Sequence, residues 1–205
     1  MTGVSYLLAA LMGYGFGCLN LAWLLARLRG FDIRGVGAHN AGASNATITM
    51  GWKAGVAVGV HDILKAFLAA LLAGFLFPSL PYAPVLAGAM AVMGHIFPFY
   101  LHFRGGKGFA SFPGMILALD WRFFLGILVA VLLITLITDY VVMGTFTTIV
   151  SFPLYLLVLH RGAIMAAIVA AASLVILCKH FVNIRRLLTG QEIGLRRTMR
   201  KEDRV

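Results

Sequence analysis

Arg104-Gly105-Gly106-Lys107-Gly108-Phe109-Ala110-Ser111, continuing as Phe112-Pro113-Gly114-Met115-Ile116-Leu117-Ala118-Leu119, is a basic glycine-rich turn that runs straight into a short apolar segment. Glycine admits positive φ and lets a backbone come close to its neighbour. Successive N–H groups in such a turn form a concavity for anions. Arg104 and Lys107 add positive charge, and Phe109-Ala110-Ser111 is expected to open a helix whose unpaired N–H groups also favour anions. The alternative is a loop that simply obeys the positive-inside rule. A Walker A loop is excluded, because its spacing and the Ser/Thr after the lysine are missing.

The surroundings of this turn are those of a membrane. Of 205 residues, 61% are hydrophobic and 12% charged, too little polar surface to cover a soluble domain of this length. The chain is expected to be an all-α integral membrane protein with one helical domain over residues 1–184, motif-bearing loops at 27–52 and 103–111, and a basic tail over 185–205. A net charge of +10 fits loops facing an anionic leaflet or anionic substrates better than it fits nucleic acid. The two cysteines, Cys18 and Cys178, form neither a metal motif nor a disulfide framework. The N-terminus lacks the basic region of a secretion signal and is read as a first span.

Apolar runs cover 3–26, 53–77, 85–103, 122–138, 140–159 and 162–181. Gly13 and Gly17 on the first, and Gly51, Gly55 and Gly59 at the second, are small residues at helical spacing suited to close packing. Pro78, Pro81 and Pro84 mark a tight turn. With residues 27–53, 104–107 and the tail on the cytoplasmic side, fourteen of the seventeen Lys and Arg lie inside. Arg122 and Arg161 are left outside, and Lys65 lies within a span. Six spans with an outer N-terminus would leave the tail outside. A seventh crossing is therefore expected from Phe109–Leu119, although that run covers only about 17 Å of a core about 30 Å thick. It crosses only if neighbouring helices shield it and an aqueous cavity meets one end. The expectation is a compact bundle of about seven helices, N-terminus outside and C-terminus cytoplasmic, in the plasma or inner membrane. A re-entrant helix is the alternative.

Several polar groups are candidates for chemistry. Asp62 and Lys65, three apart, share a helix face and either pair structurally or line a functional interior. His95, between Gly94 and Pro98, is a packing group or a functional one. His180 and Asn183 are expected on one face at the inner end of the last span, with Arg185, Arg186 and Glu192 following. Histidine accepts protons near neutral pH, and an amide beside it orients a hydroxyl or stabilises an oxyanion. The glycine-rich loop holding Arg34, Asn40, Ser44 and Asn45 suits a polyol or a phosphate, though turns use the same residues. There is no Gly-x-Ser-x-Gly elbow, no zinc-type cluster, and no His-x-x-x-x-Asp pair.

Taken together these pieces resemble the membrane-integral acyl-phosphate:glycerol-3-phosphate acyltransferase family of bacteria, along essentially the whole chain. Asp32-Ile33-Arg34 with Gly37-Ala38-His39-Asn40-Ala41-Gly42-Ala43-Ser44-Asn45 matches its first motif. Asp62 and Lys65 match an Asp-x-x-Lys. Gly94-His95-Ile96-Phe97-Pro98 and Gly105–Ser111 match the second motif, and His180–Leu187 with Gly190-Gln191-Glu192 the third. The chain departs from the usual pattern where Ala38 and His39 stand within Gly-Ser-Gly-Asn and where Ile48 replaces an arginine. It departs again where Asp139-Tyr140-Val141-Val142 replaces Arg-Tyr-x-Ser.

The resemblance implies a seven-helix bundle with all three motifs on the cytoplasmic side. It also implies transfer of a fatty acyl group from acyl phosphate to the sn-1 hydroxyl of glycerol 3-phosphate, without metal or other cofactor, to give lysophosphatidic acid. On this reading Lys107, His180 and Asn183 carry the chemistry. Arg34, Asn40, Ser44, Asn45, Arg104, Gly105, Gly106, Gly108 and Ser111 bind substrate or phosphate, and Asp62, Lys65, His95 and Glu192 support them. The partners are the acyl phosphate, the small acceptor and membrane lipid, not nucleic acid. The departures motivate a different hydroxylated acceptor as the second reading. A transport or non-catalytic role on the same scaffold is the third.

Overall fold

The structure is a computed structural model that describes residues 2–199. Arg200, Lys201 and Arg204 of the basic tail lie outside the described residues. All regular structure among the described residues is helical, and the chain divides after Leu119 into two compact units.

In the first unit α1 (Thr2–Cys18) and α2 (Leu21–Leu28) together form one apolar stretch, interrupted at Leu19-Asn20. Asn20 is extended, and its side-chain oxygen accepts the Trp23 N–H at 2.8 Å, which starts α2 afresh. An amide that bonds its own backbone competes with helix continuation in this way. After a short turn at Ile33–Gly35, capped by Asp32, comes α3 (Ala43–Met50). The sequence had placed only loop there. Gly51, at φ +90°, ends α3 and precedes α4 (Trp52–Leu76), so it is a joint between helices and not part of the helix face expected with Gly55 and Gly59. The proline-marked turn leads to α5 (Ala83–Ile96), with a proline in its first turn where the missing N–H costs nothing. A left-handed pair, His102 and Phe103, closes the turn beyond it. α6 (Ser111–Leu119) starts two residues later than expected. At nine residues it is about 13 Å long.

The second unit begins with Asp120, whose carboxylate caps α7 (Trp121–Thr138) through the N–H groups of Arg122 and Phe123 at 3.0 and 3.1 Å. α8 (Val141–Val158), α9 (Ala163–Lys179), α10 (Phe181–Leu188) and a short α11 (Leu195–Met199) follow. α9 and α10 meet at His180 with a bend of 53°. Five described stretches are long and apolar enough to cross a membrane: Thr2–Leu28, Trp52–Leu76, Ala83–Leu101, Trp121–Thr138 and Val141–Val158. The bent pair α9 and α10 makes a sixth.

Lipid is as apolar as leucine, so helices in it associate through close packing. Small residues let α1 reach α5: Gly13 lies against the Ala87 backbone, Gly17 against Ala91, and Gly94 against the backbone of Tyr14, Gly17 and Cys18. α6 reaches α4 by the same device, Gly114 lying on the Ile63 backbone. Gly17→Ala should therefore force α1 off α5. The expected destabilisation is about 1–3 kcal/mol, read as a lower thermal midpoint in detergent. Gly15→Ala, with nothing within 4 Å, should not lower it.

Candidate active site

The centre of the first unit is a buried charge network. Asp62 Oδ1 lies 2.8 Å from Lys65 Nζ, and both side chains are almost wholly excluded from solvent. Lys65 Nζ also meets His95 Nδ1 at 2.9 Å and donates to the Leu19 carbonyl at 2.8 Å. An ammonium has three donors, and Asp62, His95 Nδ1 and the Leu19 carbonyl are its polar contacts. His95 Nδ1 also lies 3.3 Å from Asp62 Oδ1, so the side chains of Asp62, Lys65 and His95 form one closed network. Of the two readings open for Asp62 and Lys65, the geometry supports the structural pair, enlarged by His95.

The glycine-rich loop sits directly on this network. Gly105 and Gly106 donate their N–H groups to the carbonyls of Ile96 and His95, each at 3.0 Å. A Cβ on Gly106 would run into the His95 ring, and one on Gly105 into the His95 carbonyl and Pro98. These glycines are needed for close approach. Their N–H groups point back at α5, so the anion concavity expected from them is not formed by this pair. Gly108, at φ +90°, accepts the Phe112 N–H at 3.1 Å and turns the chain into α6. Arg104 is exposed and Lys107 half-buried. Ser111 Oγ, fully buried at the first residue of α6, has no hydrogen-bond partner among the described residues.

The first-motif loop is tied to the same place. Ala41 donates to the Gly105 carbonyl at 3.2 Å and accepts from Asn20 Nδ2 at 3.0 Å. Gly42, the N-cap of α3, comes against Gly106. Asn45 is fully buried, and the two hydrogens of its amide are shared among the carbonyls of Ile33, Val36 and Asn40 while its oxygen accepts the Ala38 N–H at 2.6 Å. Arg34 grips the Asp32 carboxylate through Nε and NH2 and donates from NH1 to the Leu101 carbonyl at 2.7 Å. The Arg34 guanidinium beside it holds the Asp32 carboxyl down at about 2, so the pair stays ionised at neutral pH. Both Asn45 and Arg34, expected to contact substrate, are thus occupied in shaping the loop and clamping it to the second motif. Asn40 bonds the Ala38 carbonyl at 2.9 Å, and Ser44 is exposed in the first turn of α3.

In the second unit His180 and Asn183 do not share a face of one continuous helix, because the chain bends at His180. The His180 backbone closes α9, and its Nδ1 lies 2.8 Å from the Ile176 carbonyl. A carbonyl only accepts, so Nδ1 donates and the lone pair falls on Nε2. Asn183 Nδ2 donates to Glu192 Oε1 at 2.7 Å. Sequence reasoning missed Asn20 and the Leu19 carbonyl. An asparagine inside an apolar run was the available signal. Among the described residues no group of three or more His, Cys, Asp or Glu is placed to hold a metal.

Helices of this length and apolarity, with a basic loop seated on a buried ion pair, define a polytopic membrane protein. The family model for glycerol-3-phosphate acyltransferase matches residues 7–190, and the chain belongs to that family. It is 35% identical over 197 residues to glycerol-3-phosphate acyltransferase 1 of Oceanobacillus iheyensis, covering 93% of this chain and 95% of the relative. It is 34% identical to the glycerol-3-phosphate acyltransferase of Clostridioides difficile, covering 92% and 94%. Among solved structures it is similar to PlsY (YgiH), an integral membrane glycerol 3-phosphate acyltransferase. The glycerol 3-phosphate form superposes with a TM-score of 0.87 at 33% identity, covering 93% of this chain and 95% of that one. The lysophosphatidic acid form gives 0.84 at 31%, covering 95% and 98%. The protein is thus an integral membrane acyltransferase.

Removing one member of a buried ion pair leaves the other uncompensated. Lys65→Met should cost about 3–5 kcal/mol and lower the yield of monodisperse protein in detergent. Adding Asp62→Leu removes the stranded charge and should recover part of that loss. A double variant less stable than the single would show that the pair is not the source of the effect.

Proposed function

We propose that the protein moves a fatty acyl group from acyl phosphate to the sn-1 hydroxyl of glycerol 3-phosphate, releasing lysophosphatidic acid and inorganic phosphate. The observation that supports this best is the union of the two loops: Ala41 bonded to Gly105, and Gly105-Gly106 seated on His95. It sets the start of α3 beside a basic turn that leads into the start of α6. Helix N-termini favour anions, and Lys107 and Arg104 add charge there.

An acyl phosphate is a mixed anhydride with a good leaving group, so no covalent enzyme intermediate is needed. The acceptor oxygen attacks the carbonyl carbon, the C–O bond to phosphate breaks, and the hydroxyl proton ends on phosphate. The protein's task is to orient the two substrates and to offset developing charge. Lys107, Arg104 and the start of α6 with Ser111 are assigned to phosphate. Ser44, Asn40 and the start of α3 are assigned to the acceptor. His180, whose lone pair is on Nε2, accepts a hydrogen bond from the attacking hydroxyl, and Asn183 assists. Arg34 and Asn45 act by shaping the loop. A seventh crossing through α6, an outer N-terminus and a cytoplasmic C-terminus complete the proposed topology.

A different hydroxylated acceptor is the rival reading. Ala38 and Ile48 motivate it, since neither side chain can bond a phosphate. Purified protein given palmitoyl phosphate and a mixture of glycerol 3-phosphate with other polyols should yield lysophosphatidic acid as the main ester by mass spectrometry. An ester of another alcohol in preference would favour the rival. Lys107→Ala should lower turnover by about a hundredfold or more, and near-normal turnover would remove Lys107 from its role. A green fluorescent protein fused to the C-terminus should fluoresce, whereas alkaline phosphatase there should be inactive. The reverse pattern would overturn the topology.

A further inference from the structure

We propose that Asp139 is a positioning residue which, by clamping the segment after α10 onto the α7–α8 turn, holds Glu192 against Asn183. The inference rests on the assignment of Asn183 to the reaction.

Asp139 ends α7 in the left-handed region, φ +68°, with its N–H bonded to the Thr135 carbonyl at 2.8 Å. Its remaining polar atoms all face the chain's last described segment. The Asp139 carbonyl accepts the Leu195 N–H at 2.7 Å, and Oδ1 accepts the Arg196 N–H at 2.9 Å. Oδ2 lies against Gly194, where a Cβ would strike it. The Arg196 side chain closes the contact from the other direction, with Nε 3.9 Å from Oδ1 and NH2 donating to the Leu136 carbonyl at 3.3 Å. Asp139 therefore caps α11 from a distant part of the chain, satisfying two of its first N–H groups with an acidic partner.

The other end of the segment is fixed to α10. Gly190, at φ +68°, turns the chain, and Gln191 donates to the Arg186 carbonyl at 2.7 Å. Residues 191–194 are strung between these two anchors, and Glu192 lies among them. Its Oε1 accepts from Asn183, but Oε2 is buried with no hydrogen-bond partner among the described residues. A half-satisfied buried carboxylate is unfavourable where it sits. Its own bonds do not account for its position, and the anchored backbone does. With Nδ2 given to Glu192, the nitrogen end of the Asn183 amide is set by that carboxylate. Release of the clamp frees the segment and with it the Glu192–Asn183 contact.

Asp139→Gly tests this in the full-length protein, because glycine suits the left-handed φ and removes the side-chain acceptor. The variant should lose turnover by about tenfold to a hundredfold in kcat, with KM for both substrates unchanged and no fall in thermal midpoint. Amide deuterium exchange at Leu195 and Arg196 should rise. Asp139→Asn, which keeps an acceptor for the Arg196 N–H, should restore most of the turnover. On a Glu192→Ala background, Asp139→Gly should have no further effect. Normal kcat despite faster exchange, unchanged exchange, or multiplying losses in the double variant would each overturn the proposal. Asn183→Ala separates the failures. If it is crippled while Asp139→Gly is normal, only the clamp is wrong. If it turns over normally, the role of Asn183 falls and the clamp's purpose with it.

Discussion

Lys65 is a cation placed among apolar helices, and the rest of the first unit is arranged so that it can stay there. A bare charge at that depth is costly, and it persists only with partners for every donor. Asp62 neutralises it, and His95 Nδ1 and the Leu19 carbonyl complete its polar contacts. The same bond answers a question about the first span. A helix that breaks in lipid exposes carbonyls that water would otherwise satisfy. Leu19 stands at the break between α1 and α2, and its carbonyl is met by Lys65. The break and the buried ion pair therefore stabilise one another, and neither is intelligible alone.

From this point the constraint runs outward and returns. The broken span frees Asn20 to bond the Ala41 carbonyl; the Ala41 N–H holds the Gly105 carbonyl; Gly105 and Gly106 bond back to Ile96 and His95; and His95 bonds Lys65. The circuit passes through three segments distant in sequence and closes on the charge where it began. Each neutral bond contributes only about 1 kcal/mol net, but opening one strains its neighbours, because all share short backbone segments. Closure explains why two glycines face His95. Any side chain on Gly106 would lift the loop from the ring and open the circuit.

The spans were legible because hydropathy over twenty residues does not depend on partners. Their starts and ends fell within a few residues of the expected ones at Trp52–Leu76, Trp121–Thr138 and Val141–Val158. The motif residues were legible by type and order. What could not be read was direction. Asn45 and Arg34 are residues that bind ligands and also residues that organise loops, and only coordinates show their bonds turned inward. α3 was hidden because Ala43–Met50 contains Ser, Asn, two Thr and Ile, none a strong helix former, after a run of glycines. The bend at His180 has no proline or glycine to announce it. The break at Leu19-Asn20 carried a signal, one amide in an apolar run, but its meaning lay in a lysine more than forty residues away.

In the proposed reaction an activated donor shifts the burden of catalysis from making a nucleophile to holding two substrates still, and holding requires a frame that does not depend on the groups that do the contacting. The Ala38 position illustrates how this separation is built. Its N–H is fixed by Asn45 and its carbonyl by Asn40, both through the backbone. Whatever side chain stands there, the loop keeps its path. The side chain at 38 can therefore change without disturbing Ala41, Gly105 or the ion pair beneath. Gly106 and Lys65 have no such freedom, since their side chains, or the lack of one, are part of the circuit. Positions whose side chains lie outside the circuit and positions that hold the frame are thus separable in this fold. The chain's departures from the family pattern at Ala38 and Ile48 fall outside the circuit.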